Sequence, residues 1–460
     1  MQKNDEIVGV AEALGTNGEG IVRTDGVTLF VPYLLPGERA KIRVLKLKDS
    51  VGYGKALEVF TPAEDRVRPK CEAFFRCGGC QLQHLAYRGQ LRFKAALVRD
   101  TLEKLAGLHV PVAPCEKSEK PFGYRNKLQL PIGRREGKNV IGFYAERSHR
   151  IVPVRSCPIH PDWAEKVIDA LYRFMDTCGL DGYDEESGEG LRHIVVREVG
   201  KKYLVTLVST YREIKGIDYF LYLLDGIFRE YSFFLNVNTA RTNVVFGEEF
   251  LLLKGKPEYE SSEGGILFEA GPNTFLQVNE KVRERMYARA LSLAVSSEED
   301  VVIDCYAGGG LLTAMFAEHC GHAYGIELVP EASACADSLR EKNGLTAKMT
   351  NLCGRTEELL PPLLQKHPQA TVVLDPPRAG LARSVVHTLL AHPVEKLLLI
   401  SCNPATLARD LGLLTGSLSE RDGAIVRGDG AGMYKVTLVQ PYDMFPQTKH
   451  VETMVCLERK

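Results

Sequence analysis

The 460-residue chain has no run of about 18 apolar residues, so no segment reads as a membrane-crossing helix. Its start, Met1-Gln2-Lys3-Asn4-Asp5-Glu6, lacks the basic end and apolar stretch of a secretory signal, which predicts a cytoplasmic protein with no membrane partner. Repeats and low-complexity tracts are absent as well. Twelve cysteines are too dilute for a disulfide scaffold, and in a reducing compartment any close subset of them points to metal binding or catalysis. What is present, 45% hydrophobic and 25% charged residues, is globular composition with length for two or three domains.

A formal net charge of -1 conceals opposite excesses. Residues 66–155 hold 19 Lys and Arg against 7 Asp and Glu, an excess of +12, while residues 156–460 hold 31 against 42. Phe74, Phe75, Tyr87, Phe93, Phe122, Tyr124, Phe143 and Tyr144 lie within that basic block. Cations interleaved with aromatics suit an RNA, whose phosphates need counter-charge and whose unpaired bases stack on rings.

Short alternating runs over 1–62 (Gly20–Arg23, Val27–Val31, Ala40–Val44), separated by glycine and proline-glycine turns, predict a small β-barrel. The stretch 63–260 mixes a basic helix near 85–106 with strands such as Arg192–Arg197 and Tyr203–Val208, an α+β pattern. Over 261–460 short buried strands (Val301–Asp304, Ala323–Glu327, Val372–Asp375, Leu397–Ser401) alternate with helices, which predicts a doubly wound parallel sheet. Two long strands near 433–440 and 451–458 close it as an antiparallel edge pair.

Ligands of such a sheet bind beyond the carboxyl ends of its strands, and four of those ends are polar. Asp304-Cys305-Tyr306-Ala307-Gly308-Gly309-Gly310 opens a helix, Glu327 follows 23 residues after Asp304, and Asp375 and Ser401 end two further strands. Glycines at 308–310 let backbone N–H groups approach a ligand, although the same turn also serves as a plain strand-to-helix connection. A dinucleotide loop wants Gly or Ala where Thr313 stands. With an acid before the loop, S-adenosylmethionine fits better, because its sulfonium and ammonium favour carboxylates. Asp304 then serves the methionine end or holds the loop.

Ile400-Ser401-Cys402-Asn403-Pro404-Ala405-Thr406, Leu374-Asp375-Pro376-Pro377-Arg378 and His450-Val451-Glu452-Thr453 together resemble the RNA uracil-5-methyltransferase family, and Phe275-Leu276-Gln277-Val278-Asn279 is similar to its cofactor-contacting segment. Cys71-x5-Cys77-x2-Cys80 with Cys157 supplies four thiols of a kind that bind zinc or an iron–sulfur cluster, and the resemblance implies [4Fe–4S]. It further implies a Rossmann-like methyltransferase domain, an RNA-binding TRAM barrel at 1–62, and a helix near 85–115 of the central domain packed on the C-terminal one. Cofactor contacts are then expected from Gln277, Tyr306, Glu327, Asp375, Asp304 and Gly308, and phosphate contacts from Arg125 and Lys127 in Gly123-Tyr124-Arg125-Asn126-Lys127.

Uracil C5 is a poor nucleophile until a thiolate adds at C6. Cys402, at the start of a helical run whose dipole would help lower its pKa, is the expected nucleophile. The resemblance makes Glu452 the base that removes the C5 proton. It also points to 23S ribosomal RNA ahead of transfer RNA, since barrel and cluster occur together, and no obligate protein partner is inferred. One departure is Ala307, where the family usually has Cys. Arg378 argues against cytosine-C5 and exocyclic-amine methylation, which call for Cys or an aromatic there. A non-catalytic RNA-binding assembly factor and a nicotinamide oxidoreductase are the remaining rivals.

Overall fold

The computed structural model describes residues 1–460. A closed barrel comes first, with strands in the spatial order Glu6–Leu14, Gly20–Thr24, Val27–Val31, Val51–Thr61, Arg39–Lys48. Alternation turns Ala11, Val22, Leu29, Val31, Ala40, Ile42 and Val44 inward. Gly54 leaves the room this needs, since a Cβ there would lie 2.6 Å from Ile42 Cγ2. The barrel is clipped to the next segment by fully buried Glu38, which accepts hydrogen bonds from the N–H groups of Leu35 and Ala63 and pairs with Arg66. Burial would raise the Glu38 pKa, but Arg66 and the two amides outweigh it and hold it below the usual carboxylate range.

The helix Tyr87–Thr101 continues as a π-helical turn, Leu102–Ala106, ended by left-handed Gly107. Val98, Leu102 and Ala106 bury themselves in the core of the C-terminal sheet, beside Leu407 and Leu411. A seven-stranded central sheet follows, ordered Glu249–Lys254, Tyr231–Val237, Lys202–Ser209, Leu191–Val199, Lys127–Arg135, Lys138–Tyr144, Ile151–Pro153. One face packs on the helices Trp163–Cys178 and Ile217–Asp225 through Leu128, Ile194, Val196, Phe174 and Phe220. The other presents Val199, Leu204 and Phe234 to the helix Glu280–Ala294 and its surroundings.

The C-terminal sheet runs Met349–Cys353, His322–Glu327, Val301–Cys305, Thr371–Leu374, Lys396–Ser401, Glu452–Arg459, Tyr434–Tyr442, with Glu452–Arg459 alone running against the others. Helices cover both faces, as near-continuous apolar strands require. The α/β architecture with a leading barrel agrees with the expectation from sequence. Tyr434–Tyr442 is the edge strand, and Glu452–Arg459 is interior. No helix is long and apolar enough to cross a membrane.

Candidate active site

Strand order reverses between Val301–Cys305 and Thr371–Leu374, and the polar strand ends gather beyond that point. Asp304 is buried and accepts a 2.6 Å hydrogen bond from Thr313 Oγ1. The residue that spoils a dinucleotide loop therefore has a use here. Three left-handed residues, Tyr306 (φ 67°), Gly308 (φ 56°) and Gly310 (φ 79°), coil the following loop. A Cβ at Gly310 would strike Ala336 at 2.6 Å, whereas Gly308 and Gly309 face open space. Backbone without side chains thus lines a cradle at Gly308 and Gly309. Glu327 bonds the Gly308 and Val329 N–H groups at 2.8 and 2.7 Å, aligning it at the cradle's edge.

Burial pushes Asp304 up to about 7, with Asp375 and Glu327 adding to the rise and Thr313 opposing it. Asp375 also lies at about 7 through burial. Such carboxylates await a cation, and a sulfonium flanked by an ammonium is one. Tyr306 leans on the core beneath the sheet end, and burial raises its phenol. Gln277 lies in the loop before the helix Glu280–Ala294; its carbonyl accepts from Asn126 Nδ2 at 3.2 Å, and Val278 O accepts from Asn126 N at 3.0 Å. Asn279 turns inward to Ser118 Oγ and Met444 O.

The pairing of Lys396–Ser401 with Glu452–Arg459 sets Ser401 opposite Thr453. Cys402, one step on, and Glu452, one step back, therefore meet at the same end of the sheet, fifty residues apart in sequence. Asn403 caps the helix Pro404–Thr415 by accepting from Ala405 N, and its Nδ2 donates to Arg378 O at 3.0 Å. Glu452 is buried and lies at about 8, raised by burial and then by Asp375, and lowered by Arg378. Half-buried Cys402 corrects one expectation. Its thiol is raised by burial, Glu452 and Asp375, and Arg378 only partly offsets them, so the helix start does not by itself deliver a low pKa.

Cys402 opens into a cleft of about 1050 Å³ walled by Phe30 of the barrel, Arg92 and Phe93 of the long helix, and Lys449 and His450. Residues 443–450, which lead into Glu452, are tied down from afar. Asp443 forms a fully buried ion pair with Lys94 and accepts from Tyr87 Oη at 2.8 Å. Gln447, left-handed at φ 71°, accepts at its carbonyl from Gln81 and Leu82 N–H, and its side chain and amide bond Gln90. These anchors escaped the sequence reading, because nothing local marks partners some 350 residues apart.

Cys71, Cys77, Cys80 and Cys157 come together: in all six pairings one thiolate raises the other's pKa. Burial, the larger cause, pushes Cys80 up to about 12 and Cys157 beyond it. No group of three or more His, Cys, Asp or Glu side chains is arranged to hold a metal ion. Val278 packs against this patch, so the cysteines and the Gln277 loop are neighbours. Arg125 is close enough to both Cys80 and His450 to lower their pKa values electrostatically. Lys127 is turned inward, opposite Arg197.

Residues 239–460 match the tRNA (uracil-5-)-methyltransferase family, and residues 11–57 match the TRAM domain. An uncharacterized RNA methyltransferase of Clostridium tetani is 36% identical across 99% of this chain and 97% of its own. The chain belongs to the RNA uracil-5-methyltransferase family. A second such methyltransferase, from Halalkalibacterium halodurans, is 37% identical across 100% and 98%. The solved Pyrococcus abyssi tRNA (uracil-54, C5)-methyltransferase in complex with S-adenosyl-L-homocysteine superposes with a TM-score of 0.75 at 26% identity, covering 98% of this chain and 99% of that one. This methyltransferase therefore takes S-adenosylmethionine, which suits the glycine cradle and the acids around it.

Proposed function

We propose that the methyltransferase forms 5-methyluridine in 23S ribosomal RNA through a covalent Cys402 adduct. The observation that carries this is the register that brings Cys402 and buried Glu452 to the same end of the sheet, with Cys402 opening into a cleft shared with the barrel. Cys402 Sγ, as thiolate, bonds to C6 and leaves C5 electron-rich. Bound S-adenosylmethionine supplies the methyl that C5 takes. Glu452 then accepts the C5 proton, its raised pKa making it an effective acceptor near neutrality, and the Sγ–C6 bond breaks to return the thiolate. Asp375 and Glu327 hold the sulfonium and ribose ends, Gly308 and Tyr306 shape the floor, and Gln277 closes the side. Since a uridine must leave its stack to reach Cys402, loops suit the site better than duplex.

The cysteine site is proposed to bind [4Fe–4S]. A donor set of four thiols close enough to raise one another supports it, and the added positive charge would let all four ionise. The site would hold the basic segment against the Gln277 loop, with Arg125 available for an RNA phosphate. Functional units of 1–62, 63–260 and 261–460 follow, the long helix docking on the last. A transfer-RNA target is the second reading, favoured by the tRNA substrate named for the Pyrococcus abyssi enzyme.

The test is methyl transfer from labelled S-adenosylmethionine to unmodified ribosomal and transfer RNA, repeated with 5-fluorouridine-substituted RNA. Fluorine blocks the last elimination, so a denaturation-resistant adduct on one RNA, lost with Cys402→Ala, is expected. Label transfer without any adduct would overturn the covalent route, and an adduct on transfer RNA alone would replace the substrate. Anaerobic iron and sulfide content, lost with Cys157→Ala, checks the cluster.

A further inference from the structure

Gln81 follows Cys80 directly and ties two distant loops together. Its Nε2 donates back over Cys80 to Gly78 O at 2.9 Å, closing the turn that carries Cys77 and Cys80. Its Oε1 accepts from Lys449 N at 3.3 Å, and its own N–H donates to Gln447 O at 3.1 Å. A carbonyl can only accept and a backbone N–H only donate, so these partners fix which way the side-chain amide points. Among side chains of this length only glutamine offers both functions, since glutamate lacks the donor and methionine lacks both.

The two loops differ in their own support. On the cysteine side, Gly78 N donates to Tyr144 O at 3.0 Å, a Cβ at Gly78 would lie 2.9 Å from Glu146 N, and Gln83 Oε1 accepts from Cys71 N at 3.1 Å. That turn is packed in place. Residues 445–450, between the strands Tyr434–Tyr442 and Glu452–Arg459, bond among themselves only around Thr448. Their remaining bonds go outward, and several end beside the thiols: Leu82 N donates to Gln447 O at 2.9 Å, and Tyr124, which clusters with Cys80, donates its hydroxyl to Pro446 O at 3.2 Å. The loop leading into Glu452 therefore takes its shape from the cysteine region.

We infer that Gln81 is a positioning residue that transmits occupancy of the four-thiol site to Glu452, a role that rests on Glu452 as the base and on the thiols as a metal site. It governs removal of the C5 proton and not the addition of Cys402 to C6. Cys402 is set by other parts, the helix capped by Asn403 and the bond from Asn403 Nδ2 to Arg378 O, and no hydrogen bond joins those to residues 77–82. Slack in the 445–450 loop reaches Glu452 first, where a shift of about 1 Å can cost about 10² in rate.

Turnover of the full, metal-loaded chain on the RNA that accepts label, made with uridine or with 5-deuterouridine, tests it. Gln81→Met should lower kcat about tenfold with KM within about twofold, as loss of hydrogen bonds at a near-constant side-chain volume implies. Its deuterium isotope effect should exceed the wild type's, and a methylated covalent complex should build up on denaturing gels. Adduct formation on 5-fluorouridine RNA, which needs no base, should stay within about twofold, and iron content should be unchanged. Gln81→Glu, which keeps the acceptor for Lys449 N, should recover part of the rate. Cys157→Ala, or chelation of the wild type if that variant does not fold, should reproduce the isotope effect and add less than about twofold to Gln81→Met. A wild-type isotope effect in folded Gln81→Met, or effects of metal loss and Gln81→Met that multiply, would overturn the coupling. If Glu452→Gln builds up no methylated complex, the base reading falls first. A wild type without metal would strike the cysteine-site reading, and the transmitted signal with it.

Discussion

The same functional group is used in two regions under opposite conditions. Cys402 is half-buried, opens into the large cleft, and has Arg378 beside it to offset the burial and carboxylates that raise its pKa. Cys71, Cys77, Cys80 and Cys157 are raised chiefly by burial and, for the last three, further by their neighbouring thiols, with Cys157 highest. A thiol meant to attack needs access and one resident cation, so that some thiolate is always present. Thiols buried together, which Arg76 and Arg125 relieve only in part, are ionised together only when a stronger cation is delivered among them.

The contrast is broken most severely by Cys402→Ala. Turnover should fall by about four orders of magnitude or more, and the 5-fluorouridine adduct should vanish while iron content is unchanged. Glu452→Gln comes next, with turnover down by about 10³ and a methylated covalent complex accumulating on denaturing gels. In the wild type, a rate limited by that proton removal should rise with pH and level off above about 8, where Glu452 is ionised. Cys80→Ala or Cys157→Ala should reverse the pattern. Iron is lost and the thermal midpoint drops by about 5 °C or more, yet the folded fraction still forms the Cys402 adduct.

A smaller effect separates the acids from the thiols. Asp304, Asp375 and Glu452 all titrate above their ordinary range in the folded protein, so the folded state keeps protons that the unfolded chain loses. Their contribution to stability therefore declines as pH rises from about 4 to about 8. Thermal melts of the cofactor-free protein should show Asp375→Asn gaining on the wild type across that window, and added S-adenosylmethionine should stabilise the wild type more at pH 8 than at pH 6. Smallest of all, Cys335→Ser and Cys353→Ser replace exposed thiols and should alter stability by no more than about 0.5 kcal/mol, with turnover intact.

The C-terminal strands were legible because buried parallel strands are apolar runs ending at a polar residue, as in Val301–Cys305 and Lys396–Ser401. The barrel was half legible. Gly52 and Gly54 interrupt Val51–Thr61, and in Glu6–Leu14 the exposed Val8 and Val10 blur the alternation. Motifs brought Cys402 and Glu452 to notice, but only the pairing of Ser401 with Thr453 shows that they meet. Arg197 was read as one more strand residue, because an arginine's lack of a partner is a property of the folded surroundings and not of its neighbours in sequence.

The left-handed turn at Gln447 bears on how the protein can be cut or recombined. Its carbonyl holds Gln81 and Leu82, directly after Cys80, while Asp443 nearby depends on Lys94. A fragment beginning near residue 239 would carry Cys402, Glu452 and the whole C-terminal sheet, yet it would expose Asp443 without its lysine and release the chain leading into Glu452. Catalytic competence is therefore not modular along the sequence. Exchanges between relatives should preserve activity only when 71–127 and 441–452 travel together, and a break in the intervening loops should be tolerated better than one at either end.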